Sequence, residues 1–409
     1  MDALDTLRER GFVQQVTHED ELRARLNAGP VTVYAGFDPT ASSLHVGHLL
    51  PIFCLAWLQR MGHRVIAVVG GGTGRIGDPS GKTEMRNLLD DAAIEANVVA
   101  IRAQIERYLD LSDPSRGVLV DNASWLLGLG YVSFLRDIGR HFSVNRMLAA
   151  EAYKARLERG LSFIEFNYQI LQAYDFLVLA RTEGCTLQIG GDDQWGNIVA
   201  GVDLIRRVDG TPAFGLTLPL LTTASGAKMG KTASGAVWLD AERFSAFDFH
   251  QYWLNVDDAD VGRLLRMFTF LPMEEVRRLE ALVGADVREA KRVLAREATT
   301  LCHGAAAAAA AEAAGRAMVA GEADADLPTL VVDRAELDAG QLRVTSALVS
   351  AGVCASRGEA KRLLAGGGGR LNGARIDGDD RVLGAADFVG GGAVVRVGKK
   401  RAVRLILAE

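Results

Sequence analysis

The stretch YAGFDPTASSLHVGHLL, residues 34–50, shows how the first half of this chain is built. A short apolar run ends at Phe37, the letters Asp-Pro-Thr turn the chain, and a helical pattern starts near Leu44. His45 and His48 are three residues apart, so both side chains lie on one face of the first helical turns. The free N–H groups and the positive dipole end of such a helix attract anions. The stretch therefore predicts a strand, a turn and a phosphate-binding helix start.

Apolar runs of the same kind recur, with helical stretches between them, from Val31 to about Leu221. The runs are VTVYAGF, RVIAVVG, RGVLVDN, TLQIGG and FGLTLPLLT. This alternation predicts an α/β domain with a Rossmann-like parallel sheet and helices on both faces. One long stretch, about 122–184, interrupts the rhythm with a helical pattern. We predict a catalytic domain over residues 1–221, with this stretch as a helical insertion.

Three further segments follow the predicted sheet domain. Residues 222–320 start with a lysine-containing loop and continue as an α-helical domain, and the acidic, aperiodic residues 321–340 are a predicted linker. Residues 341–409 form a predicted small α+β domain with twelve lysines and arginines against six acids, a charge of about +6. The whole chain carries -5. A basic module on an acidic body predicts a polyanionic partner.

Composition narrows the class of protein. The 409 residues are 49% hydrophobic, which is enough for large cores in two or three domains. No run of about 18 apolar residues is present, so we expect no membrane span. The four cysteines lie far apart, without C-x-x-C spacing, which favours a reducing compartment and no zinc site. The N-terminus mixes acids and bases without an apolar core, and we expect a cytoplasmic protein.

The glycine-rich stretch GGTGRIGDPSGKT, residues 71–83, matches parts of two nucleotide-binding motifs. A P-loop that ends at Gly81-Lys-Thr requires glycine at position 76, which is Ile76. The dinucleotide fingerprint G-x-G-x-x-G is present, but a turn, Asp78-Pro-Ser-Gly, stands where its helix should begin. We interpret the loop as a wall of a substrate pocket whose glycines permit close approach of a small ligand. Asp78 then suits an ammonium group.

Two other stretches are better candidates for binding phosphate than this glycine-rich loop: the helix start with His45 and His48, and a loop with two lysines. Gly47, between the two histidines, leaves room for a flat ring beside the backbone. Lys228 and Lys231 lie in SGAKMGKTASG, residues 225–235, a glycine- and serine-rich loop with few apolar residues. Flexible lysines are well suited to follow charge that develops during a displacement at phosphorus.

The motif HVGH, followed about 180 residues later by KMGKT, resembles the paired HIGH and KMSKS motifs of class I aminoacyl-tRNA synthetases. Gly230 and Thr232 depart from the second consensus, whereas both lysines are kept. The blocks GGGTGRIGDPSGK, EFNYQILQAYDF and GGDDQWGNI resemble those of the bacterial tyrosyl branch of this family, in the same order. VTSALVSAGVCASRGEAKRLLAGGGGRLNG resembles an S4 RNA-binding module. The resemblance covers the whole chain.

The resemblance implies a tyrosine–tRNA ligase. Such an enzyme activates L-tyrosine with ATP to tyrosyl-adenylate, releases pyrophosphate, and transfers tyrosine to the 3′ end of tRNA(Tyr). Mg²⁺ is expected to accompany ATP, with no tightly bound cofactor and no separate metal site. The resemblance also implies a homodimer built on the 122–184 insertion.

Roles for individual residues follow from the resemblance. Tyr168, Gln172 and Asp175 fall at i, i+4 and i+7, so they share one face of a helix over the substrate. The residues implied to bind tyrosine are Tyr34, Asp78, Tyr168, Gln172, Asp175 and Gln194. Those implied to bind ATP or act on its phosphates are Asp38, Thr40, His45, Gly47, His48, Gly191, Asp193, Lys228, Lys231 and Thr232. The predicted tRNA contacts are Arg206, Arg207, Arg357, Lys361 and Arg362.

Three alternatives remain open at this point. Tryptophanyl relatives share the architecture and both motifs, but an indole has no phenolic hydroxyl for Tyr34 and Asp175 to bind. A non-catalytic RNA-binding descendant would have no reason to keep both histidines and both lysines. A dehydrogenase would bind NAD through the glycine-rich loop.

Overall fold

A computed structural model gives the structure of this chain. It describes residues 2–80, 89–158, 160–232, 235–320, 327, 329–376, 378, 380–388, 392–398 and 401–408. The chain divides into two units, Met1–Ala309 and Ala310–Glu409. Among the described residues, no helix has the length and apolar character needed to cross a bilayer.

The first unit is built on a six-stranded sheet. Its strands are β1 (Gln15–Val16), β2 (Thr32–Phe37), β3 (Arg64–Val69), β4 (Gly117–Asp121), β5 (Cys185–Gly191) and β6 (Phe214–Leu218). The spatial order is β1-β6-β5-β2-β3-β4, with β1 antiparallel to β6 and the other neighbouring pairs parallel. All five apolar runs form strands, which confirms the predicted Rossmann-like sheet. A separate hairpin contains β7 (Lys231–Thr232) and β8 (Gly235–Ala236).

Between β2 and β5 the order in which the chain adds strands to the sheet changes sides, while the strands themselves stay parallel. The chain runs outward from β2 to β3 and β4, returns to β5 on the other side of β2, and continues to β6. Tyr34 pairs with Gln188 across this junction. Open parallel sheets bind ligands at the carboxyl ends of their strands beside such a reversal. The fold therefore favours a site beyond Phe37 and Gly191, where β2 and β5 end.

Helices cover the sheet and fill the long connection predicted to be helical. The helices of this unit are α1 (Ala3–Glu9), α2 (Glu19–Asn27), α3 (Val46–Arg60), α4 (Asp91–Ile105), α5 (Ala123–Leu126), α6 (Tyr131–Asp137), α7 (Val144–Leu148), α8 (Glu151–Leu157), α9 (Phe163–Glu183), α10 (Trp195–Asp209), α11 (Ala246–Leu254), α12 (Val261–Phe268), α13 (Met273–Glu280) and α14 (Val287–His303). Helix α15 (Ala305–Ala320) contains the division between the units. Between β4 and β5 the regular elements are helical, as predicted.

The predicted boundary at residues 221 and 222 does not separate two cores. Phe53 of α3 packs against Phe268 of α12 with ring centroids 5.6 Å apart, and both belong to one buried cluster with the sheet. Trp253 of α11 is fully buried in the same cluster. The apolar faces of these helices have to be buried: α12 packs on α3, and Trp253 of α11 packs on Phe268 of α12. The sheet and the helices up to Ala309 therefore form one unit.

The second unit has its own sheet and core. Its elements are β9 (Thr329–Val332), α16 (Arg334–Asp338), α17 (Val344–Ser350), α18 (Arg357–Ala365), β10 (Gly369–Leu371), β11 (Ala374–Arg375), β12 (Gly392–Val397) and β13 (Arg401–Leu407). The strand order is β11-β10-β12-β13-β9, with β9 parallel to β13 and the other pairs antiparallel. The α+β prediction is confirmed.

The linker predicted for 321–340 extends too far. Residues 321–326 lie outside the described part, but β9 pairs with β13, and Val332 and Leu337 are buried in the second core. The pairing partner of β9 is 75 residues away in sequence, and the four-residue run Thr-Leu-Val-Val was the available local signal.

Candidate active site

A cavity of about 450 Å³ opens where β2 and β5 end. The residues predicted for tyrosine and ATP that line it are Tyr34, Asp38, Thr40, His45, Gly47, His48, Asp78, Tyr168, Gln172, Asp175, Gly191, Asp193, Gln194 and Lys228. The two others, Lys231 and Thr232, form β7 with their backbone, and their side chains lie outside the described part of the structure. Residues from five separate sequence blocks therefore meet in one place.

The deepest part of the cavity contains a buried phenol and a buried carboxylate. Tyr34 in β2 is 2% exposed and Asp175 on α9 is 4% exposed. The Asp175 carboxylate accepts hydrogen bonds from Asn122 Nδ2 at 2.9 Å and from Trp125 Nε1 at 2.7 Å. The Tyr34 hydroxyl has no hydrogen-bond partner among the described residues. A ligand hydroxyl at this point would satisfy a group that is otherwise expensive to bury.

Burial controls the charge of this end of the cavity. Loss of solvent raises the pKa of Asp175 to about 7, although its two hydrogen-bond donors favour the ionised form. Burial also raises the pKa of Tyr34 well above its usual value, so the Tyr34 hydroxyl keeps its proton. The carboxylate can accept a further hydrogen bond and the hydroxyl can donate one. The pair therefore matches a ligand group that both donates and accepts.

Asn122, which the sequence analysis missed, connects Asp175 to the part of the cavity around Asp38. Besides Asp175, its Nδ2 reaches Thr73 Oγ1 at 3.0 Å, and its Oδ1 accepts from the Gly72 N–H at 2.7 Å. The Thr73 hydroxyl donates to Asp38 Oδ1 at 2.8 Å. Asn122 directly follows β4, and a polar residue at the carboxyl end of a buried strand was the available signal. Trp125, on the short α5, carried no comparable signal.

Two glycines at the start of the glycine-rich loop make room for protein side chains. A methyl group at Gly70 would lie 2.2 Å from Asp38 Oδ1, and one at Gly71 would lie 2.3 Å from Asp121 Oδ1. The Gly71 N–H donates to that same Asp121 oxygen at 3.0 Å. The loop still forms a wall of the cavity through Thr73 and other residues. Between Gly77 and residue 80 no helix begins, so the fingerprint lacks its helix in the part described.

A second carboxylate, that of Asp78, also lines the cavity. Asp78 Oδ2 accepts from Gln194 Nε2 at 2.7 Å, and its Oδ1 accepts from the Ser80 N–H at 2.9 Å. Burial raises the pKa of Asp78 to about 6, against the opposing effect of the Ser80 bond. Tyr168, 6% exposed, donates its hydroxyl proton to Asp38 Oδ2 at 2.8 Å. These oxygens form a negative, hydrogen-bonding pocket that suits an ammonium group.

Asn197, also missed from the sequence, orients the two glutamines of the site. Its Nδ2 lies 3.1 Å from Gln172 Oε1 and 3.0 Å from Gln194 Oε1, and its side chain is 3% exposed. Because both glutamine oxygens accept from Asn197, both NH₂ groups are directed elsewhere, that of Gln194 towards Asp78. Asn197 is three residues after Gln194, which places both on one helix face.

The start of α3 is capped by its own histidines. His45 precedes the helix, and its Nδ1 accepts from the Gly47 N–H at 3.0 Å. His48 Nδ1 accepts from the His45 N–H at 3.1 Å, and the two ring centroids are 4.1 Å apart. Two of the N–H groups predicted to bind an anion therefore bind imidazole nitrogens instead. A phosphate at this helix start would meet the imidazole rings.

The two motifs that are distant in sequence are in contact in the fold. Gly230 has a φ of +87°, and a methyl group there would lie 3.3 Å from the Gly47 nitrogen. Its carbonyl accepts from the Val237 N–H at 2.9 Å, and the Val237 carbonyl accepts from the Val46 N–H at 2.9 Å. Lys228, two residues before Gly230, is exposed and lines the cavity. The loop thus places a lysine beside the histidine-capped helix.

The end of β5 forms the remaining wall. A methyl group at Gly191 would lie 2.5 Å from Asp193 Oδ1, so this position requires glycine while Asp193 keeps its orientation. The neighbouring Asp192 Oδ1 accepts from Gln15 Nε2 at 2.7 Å and from Thr217 Oγ1 at 2.9 Å. Asp192 thereby ties the antiparallel edge of the sheet to this wall.

The arginines predicted to bind tRNA are not part of the cavity. Arg206 and Arg207 are exposed near the end of α10, where Arg206 Nη2 lies 3.1 Å from His18 Nε2 and Arg207 donates to the His141 carbonyl. Arg357, Lys361 and Arg362 are exposed on α18 of the second unit. No group of three or more ligating side chains that could hold a metal occurs in the described residues.

Comparisons with known proteins agree with this geometry. The family described as tRNA synthetases class I (W and Y) matches residues 26–320. The tyrosine–tRNA ligase of Desulfosudis oleivorans is 53% identical over 425 residues, covering 98% of each chain. That of Clostridium tetani is 50% identical over 404 residues, also covering 98% of each.

Solved structures extend the similarity to the fold. A C-terminally truncated mitochondrial tyrosyl-tRNA synthetase from Aspergillus nidulans is 32% identical, with a TM-score of 0.69, over 77% of this chain and 93% of that one. A tyrosyl-tRNA synthetase complexed with L-tyrosine from Archaeoglobus fulgidus has a TM-score of 0.57 over 75% of this chain and 99% of that one; at 18% identity it shows the fold alone. The sheet and the paired histidine and lysine motifs define a class I aminoacyl-tRNA synthetase, and the chain belongs to that class. Within the class, it belongs to the bacterial tyrosine–tRNA ligase family.

Proposed function

We propose that this cavity joins L-tyrosine to ATP and then transfers the tyrosyl group to the 3′ end of tRNA(Tyr). Membership of the tyrosine–tRNA ligase family supports the overall reaction. The single observation that carries the choice of substrate is the Tyr34 hydroxyl, which is buried without a partner in the cavity that contains the buried Asp175 carboxylate. A phenol that donates to Asp175 and accepts from Tyr34 satisfies both groups.

The rest of the amino-acid half accommodates the charged end of tyrosine. Asp78, Tyr168 and Gln172 surround the ammonium group, and Gln194 lies near the carboxylate. The negative charge of Asp78 and the fixed amides support these roles. Phenylalanine leaves the Tyr34 and Asp175 groups unsatisfied, and an indole cannot both donate and accept at that point.

The chemistry takes place between the two halves. In the first step a carboxylate oxygen of tyrosine attacks the α-phosphorus, and the bond from that phosphorus to the pyrophosphate oxygen breaks. In the second step a ribose hydroxyl of the tRNA attacks the adenylate carbonyl, and AMP leaves with the bonding electrons. No covalent nucleophile of the protein is required, so positioning and charge stabilisation supply the rate enhancement.

The nucleotide half supplies that stabilisation. Thr40, His45 and Lys228 contact the β- and γ-phosphates, and Lys231 and Thr232 join them. His48 and Asp38 hold the nucleotide, the backbone at Gly47 faces its ring, and Gly191 and Asp193 bind its ribose. The proximity of the capped helix start and the lysine loop supports this arrangement. Mg²⁺ enters with ATP as the counter-ion of the phosphates.

The test of the proposal is ATP–pyrophosphate exchange with tyrosine, phenylalanine and tryptophan in parallel. We expect exchange with tyrosine and at least a thousandfold lower kcat/KM with the other two, because a buried hydrogen-bonding pair is left unpaired. Comparable exchange with tryptophan would overturn the choice of substrate. Absence of exchange with all three would leave a non-catalytic RNA-binding role.

The tRNA is proposed to contact both units. Arg206 and Arg207 contact the acceptor end, and the S4-like second unit binds the tRNA body through Arg357, Lys361 and Arg362. The exposed position of these side chains and the charge of about +6 on residues 341–409 support this division. Deletion of 341–409 should spare pyrophosphate exchange but lower tRNA affinity, and the affinity of the full chain should fall steeply with salt. Loss of exchange would contradict the division.

We further propose a cytoplasmic homodimer that is built on the helical insertion. Tyr131, Val132 and Phe163 there are 62%, 77% and 69% exposed, and several exposed large apolar side chains in one segment support a partner surface. Val132→Glu should convert the dimer to monomers in light scattering, whereas Val283→Glu, at a site that is also 77% exposed, should not. The four buried free cysteines fit a reducing compartment.

A further inference from the structure

We propose that Asp260, together with Arg263, is a positioning residue for Lys228 during adenylate formation. The proposal rests on the proposed role of Lys228 at the phosphates. Neither Asp260 nor Arg263 lines the cavity, and neither belongs to a motif identified in the sequence. They lie at the end of the 3₁₀ turn Asp258–Asp260 and on α12.

The loop that contains Lys228 folds back on itself. Residues 221–229 form a hairpin-like turn in which the Met229 N–H donates to the Leu221 carbonyl at 2.8 Å. Thr222 and Lys228 face each other in an isolated antiparallel bridge. The backbone of Lys228 is therefore located by the backbone of Thr222.

The Asp260–Arg263 pair holds this turn at two points. Asp260 Oδ2 accepts from the Ala224 N–H at 2.9 Å, and Asp260 Oδ1 accepts from Arg263 Nη2 at 2.8 Å. The same Arg263 nitrogen donates to the carbonyl of Thr222, the residue opposite Lys228. Asp260 is 3% exposed, so its hydrogen bonds are shielded from water and are charge-assisted. One buried carboxylate thus fixes the segment that faces Lys228 across the turn.

The loop is also held at a second point, where it meets the active-site helix. Gly230 packs against the backbone at Gly47, which holds the far end of the loop to α3. In sequence Lys228 lies between Ala224, which the pair holds, and Gly230, so both anchors influence where its long side chain starts. Misplacement of a catalytic group by about 1 Å can slow a reaction about a hundredfold. The hydrogen bonds of Asp260 therefore matter for rate although they lie outside the cavity.

Two variants remove the contact in different ways. Asp260→Asn keeps the size of the side chain but replaces one carboxylate oxygen with an NH₂ group. That NH₂ group must face either Arg263 or the Ala224 N–H, and neither of these can accept a hydrogen bond. Ala224→Pro removes the loop N–H without changing the carboxylate. Position 224 is the second residue of the turn closed by the Gly226 N–H and the Thr223 carbonyl at 2.8 Å, where proline is favoured. We expect each variant to slow adenylate formation about tenfold, with the tyrosine Kd unchanged.

A double-mutant cycle with Lys228→Ala distinguishes positioning from a general effect on folding. In the Lys228→Ala background, Asp260→Asn should cause less than a twofold further loss. Asp257→Asn is the matched control, because Asp257 caps the same 3₁₀ turn through the Ala259 N–H at 2.9 Å without reaching the loop. The control should stay within twofold of the original rate.

The possible failures are distinguishable. If Lys228→Ala alone leaves the rate unchanged, the proposed role of Lys228 fails, and this inference falls with it. If Lys228→Ala slows the reaction but Asp260→Asn and Ala224→Pro do not, only the inference is overturned. Additive losses in the cycle, or an equal loss in Asp257→Asn, would also overturn it.

Discussion

The proposed amino-acid half and the proposed nucleotide half of the cavity are built in different ways. The amino-acid half consists of buried side chains on strands and on α9, such as Tyr34 and Asp175, joined by hydrogen bonds through Asn122. The nucleotide half consists of a helix start and an exposed loop lysine, Lys228. Preorganised groups give specificity, whereas mobile charges can follow a reaction as charge develops.

From this difference we expect the amino-acid half to determine which substrate binds and the nucleotide half to determine the reaction rate. Tyrosine and phenylalanine differ by one hydroxyl group, so recognition needs rigid, desolvated partners that cannot rearrange around the wrong substrate. Phosphates are recognised mainly by charge, and they change position as the pyrophosphate leaves. We therefore expect variants of the first half to alter binding and variants of the second to alter rate.

The largest effect is expected for Asp175→Asn. The amide must direct its NH₂ at Asn122, at Trp125 or at the incoming phenol, so at least one buried donor loses its acceptor. Two hydrogen bonds worth about 2 kcal/mol each correspond to about a thousandfold lower kcat/KM for tyrosine. Steady-state pyrophosphate exchange measures this ratio. Thr182→Ala, at an exposed position of the same helix, is the control, and a loss below tenfold would contradict the assignment.

Lys228→Ala tests the other half. We expect a loss of about a hundredfold in kcat for exchange, because a cation that stabilises the leaving phosphates is absent. The affinity for tyrosine alone, measured by equilibrium dialysis, should not change. Ser225→Ala, at an exposed position of the same loop, should leave both quantities intact. A weakened tyrosine affinity in Lys228→Ala would show that the halves are not separate.

The pH dependence of tyrosine binding sharpens the comparison further. The folded-state pKa of Asp78 is raised to about 6, so its carboxylate is ionised above that pH and becomes neutral as the pH falls through it. Affinity should therefore fall about tenfold for each pH unit below 6. Protonation of Asp175, with a pKa of about 7, should begin the decline earlier.

A tyrosine analogue without the ammonium group distinguishes the effect of Asp78 from that of Asp175 in the same titration. 3-(4-Hydroxyphenyl)propionate lacks the ammonium group but keeps the phenol, so its affinity should decline only with the protonation of Asp175, without the additional decline below pH 6 expected for tyrosine. Titration calorimetry between pH 5 and pH 8 gives both curves. A tyrosine affinity that stays constant over that range would contradict the role of Asp78.

The smallest effect is expected for Tyr34→Phe. The change removes one neutral hydrogen bond, worth about 1 kcal/mol, and leaves Asp175 in place. The ratio of kcat/KM for tyrosine to that for phenylalanine should fall about fivefold, mostly through tyrosine. An unchanged ratio would place the substrate hydroxyl elsewhere.

The strands and helix starts that depend only on short stretches of sequence were predicted correctly. The five parallel strands and the histidines at the start of α3 follow from apolar runs and a turn. Asn122 and Asn197 were missed because their roles depend on partners that only the folded chain brings near. The strand β9 was missed although its run Thr-Leu-Val-Val favours a strand, because it follows directly on the acidic, aperiodic stretch.

The glycine-rich loop illustrates a second limit of prediction from sequence. Its composition correctly predicted a close approach, but composition does not reveal what approaches. The answer was the carboxylates of Asp38 and Asp121, which come from the ends of two other strands. Spacing of glycines alone therefore does not distinguish a phosphate, a substrate and a neighbouring side chain.

The most direct test of the contrast measures two quantities in the same two variants. For Asp175→Asn and Lys228→Ala, the tyrosine Kd without ATP and the single-turnover rate of adenylate formation at saturating tyrosine would be determined side by side. We predict a raised Kd in Asp175→Asn, and in Lys228→Ala an unchanged Kd with a rate lowered about a hundredfold. An equal change in Kd for both variants would contradict the separation of the cavity into a recognition half and a reaction half.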